Sequence, residues 1–268
     1  MGSTAKACTE VSSPERTTSI HAFDTSDPAR TDYLASGEVR GSLFSQWAMS
    51  EYDGLLRVAS TDGDPWGWGE DPSESYVTVL ELRGDVLAQI GQVGGLGKTE
   101  TIHAVRFIDD IGYVVTFRQT DPLYTVDLSD PTAPVVRGEL KILGYSAYLH
   151  PVGDDLLLGV GQDADEQGML KGTQVSLFDV SDLDDPIRID TADLGQGSSE
   201  VEYEHHAFLH WPATGLTVVP FTRWSWEPGA DHEEVVSGAA TLITKAGSLI
   251  APASIASQPP WLNPQKPI

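Results

Sequence analysis

Two pairs of tryptophans stand among carboxylates in this sequence. Trp66 and Trp68 fall in STDGDPWGWGEDPSES (Ser60–Ser75), and Trp224 and Trp226 in TRWSWEPGADHEE (Thr222–Glu234). Two more acidic stretches accompany them: RQTDP (Arg118–Pro122), which holds Asp121, and VGQDADEQGMLKGT (Val160–Thr173). Tryptophan beside carboxylates suits the recognition of a protein or a carbohydrate. The large rings anchor, and the polar neighbours orient. Trp66, Trp68, Asp121, Trp224 and Trp226 are therefore the candidate ligand-binding residues. The competing reading is structural, with the rings capping the fold and plugging its loops.

Oxygen-rich loops also invite a hard cation, and calcium is the best metal candidate. Asp163-Ala164-Asp165-Glu166-Gln167-Gly168 begins like a helix-loop-helix calcium loop. The match fails further on, because Gln167 and Gln174 stand where better ligands are needed and no flanking helices are expected. A looser cage from Asp163, Asp165 and Glu166 remains, with Asp62 and Asp64 as a second hint. The alternative for both is a solvated acidic loop. Zinc is disfavoured. His206 and His210 on a strand would share a face but lie roughly 13 Å apart, too far for one ion. A zinc site would need His150 or His103 from elsewhere, and the ordinary reading is histidines hydrogen-bonded along strands.

Covalent catalysis finds little support. Gly144-Tyr145-Ser146-Ala147-Tyr148 fails the nucleophile-elbow pattern at its last position. There is no His-Glu-x-x-His run, phosphate loop or dinucleotide fingerprint. Cys8 is the only cysteine, so an internal disulfide or a cysteine metal cage is excluded. The formal net charge is −24, from 16 Lys+Arg against 40 Asp+Glu. Such a chain offers no basic footprint for nucleic acid and is repelled by anionic membrane surfaces. No apolar run is long enough to span a bilayer. The first residues, MGSTAKACTEVSSPERTT, lack the apolar core of a signal peptide.

The elements that must position these residues come in repeats. IHAFDTSDP (Ile20–Pro28), LYTVDLSDP (Leu123–Pro131) and VSLFDVSDLDDP (Val175–Pro186) share an alternating strand followed by Asp and a Ser-Asp turn. Asp127 and Asp179 are 52 residues apart, and Asp24 and Asp127 are 103 apart. The unit missing between the first two is YVTVLELRGD (Tyr76–Asp85), with Glu81 in the place of the aspartate. A period of about 50 residues holding four strands is the mark of propeller blades. Within Ile102–Leu140 the strands read IHAVRFID, IGYVVTF, PLYTVDL and PVVRGEL. The second is almost wholly apolar, as a strand buried on both faces should be. The same four recur in Phe44–Val93 and in Tyr145–Leu194. Thr18–Gly41 reads as two strands only, and so does His205–Phe221.

The run from Arg106 to Asp165, with VSLFDVSD (Val175–Asp182) and EHHAFLHWP (Glu204–Pro212), resembles a family of bacterial β-propellers distantly related to WD40 repeats. Members are usually secreted or surface-exposed, so the resemblance implies an extracellular or cell-surface location. The likeness runs from about Phe44 to Phe221, and the family domain is longer than this chain. It constrains the fold and hardly the chemistry.

The expectation is an all-β propeller of four-stranded antiparallel blades, three whole and two half, over residues 18–250. It is read either as an open arc or as a four-bladed ring closed by joining the halves. Residues 1–17 and 251–268 are read as a disordered N-terminus and a disordered or non-native tail. The functional expectation is a non-enzymatic binding or scaffold protein using its long-loop face on a protein or glycan. It requires no cofactor, calcium aside, and the missing remainder of the propeller is a further partner. The alternative is a carboxylate- or calcium-dependent hydrolase or lyase on the same face.

Overall fold

The repeated Asp-x-Ser-Asp motif explains where the strands turn. Asp127 Oδ1 accepts the Ser129 N–H and Asp130 Oδ1 the Thr132 N–H. Asp179 and Asp182 do the same for Ser181 and Asp184, and Asp24 and Asp27 for Ser26 and Ala29. Each repeat thus folds two consecutive side-chain-to-backbone turns, the second spanning Pro28 or Pro131 in the first two repeats and preceding Pro186 in the third. The Ser129 and Ser181 hydroxyls and N–H groups hold Asp127 and Asp179 below the usual carboxylate range. Blade one lacks the aspartate. Glu81 pairs instead with Arg83 at 2.6 Å, and Gly84 turns the chain at φ 65°.

The computed structural model describes residues 16–64, 72–117, 121–225, 234–245 and 247–257, with the backbone alone for Asp121, Ser225, Glu234 and 252–257. The half-blade is β1 (Thr17–Asp24) and β2 (Asp32–Arg40). Blade one is β3 (Met49–Tyr52), β4 (Leu55–Asp62), β5 (Glu74–Arg83) and β6 (Val86–Leu96). Blade two is β7 (Thr101–Ile108), β8 (Ile111–Phe117), β9 (Asp121–Asp127) and β10 (Val135–Ile142). Blade three is β11 (Tyr145–Pro151), β12 (Leu156–Ala164), β13 (Leu170–Asp179) and β14 (Ile187–Gly195). Blade four is β15 (Gly197–Ser198), β16 (Leu209–Trp211), β17 (Leu216–Ser225), β18 (Glu234–Lys245) and β19 (Ser248–Ser257). Within each blade the strands pair antiparallel in chain order, except that β15 and β16 both pair β17.

The fold class is as expected, and the ends differ. Blade four is whole, because β18 and β19 complete it. EVVSGAATLITK alternates small and apolar residues too weakly to announce a strand. Pairing with β17 along its length makes it one. β19 carries the sheet through Ser257, past the boundary expected at 250. The two halves do not join. β2 touches β6 through a single parallel bridge, Ser36 to Val86, and packs on blade one. The first strands of blades one and four are also shorter than read. Gln46–Ala48 and His205–Ala207 form 3-10 turns, because Ser45 accepts the Trp47 N–H and Glu204 the His206 N–H.

Four apolar layers hold the blades face to face. Ala35 and Val39 meet Val58, Leu80 and Leu87 between the half-blade and blade one. Ala59 and Val79 meet Val114 and Val126 between blades one and two. Val115 and Leu123 meet Leu157 and Phe178 between blades two and three. Leu158 and Val160 meet Val219 and Leu242 between blades three and four. Polar clamps sit at the edges of these layers. Arg137 bonds Asp127 on its own blade and Asp184 on the next, at 3.1 and 2.7 Å. Buried Arg57 donates to the Asp109 carbonyl and to Ser50 Oγ, with Tyr52 and Phe107 rings about its guanidinium. Among the described residues no helix is long and apolar enough to cross a membrane.

Candidate functional site

Connections from the second to the third strand of every blade share one rim of a propeller. The strands run further into this rim than expected. β12 ends at Ala164 and β13 starts at Leu170, which leaves Asp165–Met169 as the connection. β17 and β18 likewise shorten the segment that holds Trp224 and Trp226. Trp224 lies on β17 opposite Val235, half-buried, and its backbone N–H donates to the Gln196 carbonyl at 3.0 Å. Asp121 opens β9 opposite Ile142, and its side chain is outside the described residues. Trp66, Trp68 and Trp226 lie outside them altogether.

The calcium candidates are placed as follows. Asp165 Oδ1 accepts the N–H groups of Gln167 and Met169 and so forms its own turn. Asp163 faces Lys171 at 3.7 Å, and Glu166 is exposed. Asp62 accepts from Arg40 Nε at 2.7 Å. Among the described residues no three of His, Cys, Asp or Glu gather where one metal ion would be held.

A second locus, which the sequence did not announce, lies where the first strands of the four blades converge. A cavity of about 80 Å³ is lined from each blade: Trp47 and Ser50, Arg106, Tyr148, and His205. The two 3-10 turns set its walls. The His205 ring stacks on Trp47 at 4.7 Å between centroids and meets Tyr148 at the same distance. The turn at Glu200–Glu202 braces this arrangement. Ser199 caps it, and half-buried Glu202 takes N–H bonds from Ser199 and from Gln162 of blade three, both at 2.7 Å. Burial raises the Glu202 carboxyl above its ordinary value.

The histidines form a chain beside this cavity. His150 Nδ1 lies 2.9 Å from the Tyr148 hydroxyl, and His210 Nδ1 2.9 Å from Thr217 Oγ1. The His150 and His210 rings are 5.4 Å apart, with Phe208 packed on His150. Burial, the Arg106 charge and His210 push His150 down to about 4. Burial lowers His103 and His210 as well, and burial followed by Arg106 lowers His205. Burial thus disfavours the charged form of each of these imidazoles. A weak signal existed in sequence: the aromatic residues just before or on each first strand.

A third feature is a cleft of about 550 Å³ between β6 and β10. Its groups satisfy one another. The Tyr124 hydroxyl donates to Glu139 Oε1 at 3.0 Å and accepts the Gly97 N–H at 3.1 Å. Lys141 pairs with Glu139 at 3.2 Å, and Thr116 donates to Glu100.

The model of the beta propeller domain family matches residues 3–258 of this sequence. The chain belongs to the beta propeller domain family. Two relatives of this beta propeller are archaeal. An uncharacterised protein of Methanocaldococcus jannaschii is 45% identical over 176 residues, 66% of this chain and 27% of that protein. One of Archaeoglobus fulgidus is 42% identical over 182 residues, 68% of this chain and 27% of that protein. The propeller chain therefore spans about a quarter of the length of the curated relatives it matches. These relatives are archaeal where the resemblance named bacteria.

Proposed function

We propose that this beta propeller is a non-enzymatic binding module, working outside the cell or on its surface, whose second-to-third-strand rim contacts a protein or a glycan. The supporting observation is the scaffold: four apolar interblade layers fix the strands from which these connections leave. Its tryptophans belong to the segments that leave β4 and β17. Rigid strands carrying variable loops are the usual way a fold presents a recognition surface. The repeat carboxylates favour binding over carboxylate hydrolysis, since Asp24, Asp127, Asp130 and Asp179 are spent on turns. A glycan microarray and a panel of cell-surface proteins test the proposal on the intact chain. Trp66→Ala and Trp226→Ala should each weaken the bound ligand roughly tenfold or more, as loss of an aromatic anchor does. Binding that is indifferent to both substitutions, or found only with activity on the ligand, would overturn it.

A further inference from the structure

The cavity at the convergence of the first strands has a charge unlike the rest of the molecule. The chain carries 40 acidic side chains and 16 basic ones, yet no carboxylate lines this cavity, and Arg106 does. Among the described residues no carboxylate forms an ion pair with Arg106, whereas Arg40, Arg83 and Arg137 each hold one. Arg106 lies on β7, half-buried, opposite Tyr113. A guanidinium with no carboxylate partner keeps its forked donors available to an incoming anion.

Hydrogen-bonding groups line the cavity together with Arg106. Ser50 Oγ accepts from Arg57, so its own proton is available to donate. The Tyr148 hydroxyl and the His205 ring complete the polar wall, and the stacked Trp47 ring supplies an apolar one. This is the composition that takes an oxygen anion by a forked guanidinium and leaves room for a small apolar body.

The geometry points to an oxyanion-binding site at the axis of the propeller, in which Arg106, assisted by Ser50 and Tyr148, holds the carboxylate or phosphate group of a small molecule. The site is separate from the loop rim and stands whether or not the rim binds anything.

Isothermal titration of the intact chain with acetate and with inorganic phosphate, in buffer free of other oxyanions, tests the assignment. Saturable binding of at least one anion is expected by about 20 mM, the range that one forked arginine contact supports. Preference for acetate identifies a carboxylate ligand, and preference for phosphate a phosphorylated one. Arg106→Gln should weaken binding roughly tenfold or more, and Arg106→Lys should restore part of it. Arg188→Gln, at a distant blade surface, should change nothing. If Arg106→Gln fails to fold, the Arg106 Nε–H resonance of the unaltered chain should shift on titration. No saturable binding of either anion, or binding unchanged in folded Arg106→Gln, or an Arg106 resonance that does not move, would overturn the assignment.

Discussion

At the scale of single residues, His150 makes stability depend on pH. Its folded value is about 4 against an ordinary 6.5. Between those values the unfolded chain takes up a proton that the folded chain refuses. Stability is therefore full above pH 6.5 and is lost as pH falls toward 4. The turn aspartates act in a different window. Asp127 and Asp179 sit below the ordinary carboxylate value, so their contribution is lost only below about pH 4. Thermal unfolding followed across pH should show two acid limbs. His150→Gln should make the upper limb shallower, with His103, His205 and His210 accounting for what remains, and leave the lower; an upper limb unchanged in that variant would assign it to other groups.

At the scale of elements, the interblade layers depend on how closely a turn can approach the preceding blade. Gly138 on β10 lies under the turn of blade three. A Cβ there would collide with the Leu183 carbonyl and come within 2.7 Å of Pro186 Cδ. Thr125 Oγ1 already donates to that carbonyl at 2.6 Å. Gly91 stands in the same relation to Pro131 one blade earlier. Gly138→Ala should cost about 1–3 kcal/mol, the usual penalty of overpacking. Gly153→Ala, where a Cβ meets only Leu156 at 3.9 Å, should be close to neutral. Urea unfolding midpoints of the two variants check this, and equal losses would show that the close approach is not what matters.

At the scale of the whole molecule, two blade faces have no covering blade among the described residues. On blade four the cross-strand row Trp211, Leu216, Ile243 and Ile250 points away from blade three. Trp211 is 58% and Ile250 49% exposed. On the half-blade, Phe23 and Tyr33 form an edge-to-face pair, both more than half exposed. Each of the four buried layers covers such a row with another blade, so another blade is the proposed cover here also. A chain without that cover should self-associate through these faces. Its charge of −24 opposes this, so association should strengthen as salt screens the repulsion. Sedimentation velocity should show concentration-dependent association that Trp211→Lys weakens. A monomer at all concentrations and salt levels would count against it.

The repeat architecture was legible in the sequence, because local physics specifies it. Asp-x-Ser-Asp bonds its own backbone wherever it occurs, and apolar runs such as IGYVVTF need two covered faces. Spacing then gives blades without any long-range information. What alternation does not encode, the tertiary structure decided. β18 is a strand because β17 offers its edge, not because of its own pattern. Trp47 and His205 are 158 positions apart in sequence and meet only where four blades converge. Nothing in the pattern of the sequence sets Arg106 apart, and only packing places it in a cavity lined by no carboxylate. Turn bonds act over two residues and can be read along the chain, whereas a cavity is the sum of contacts between segments that sequence order keeps apart.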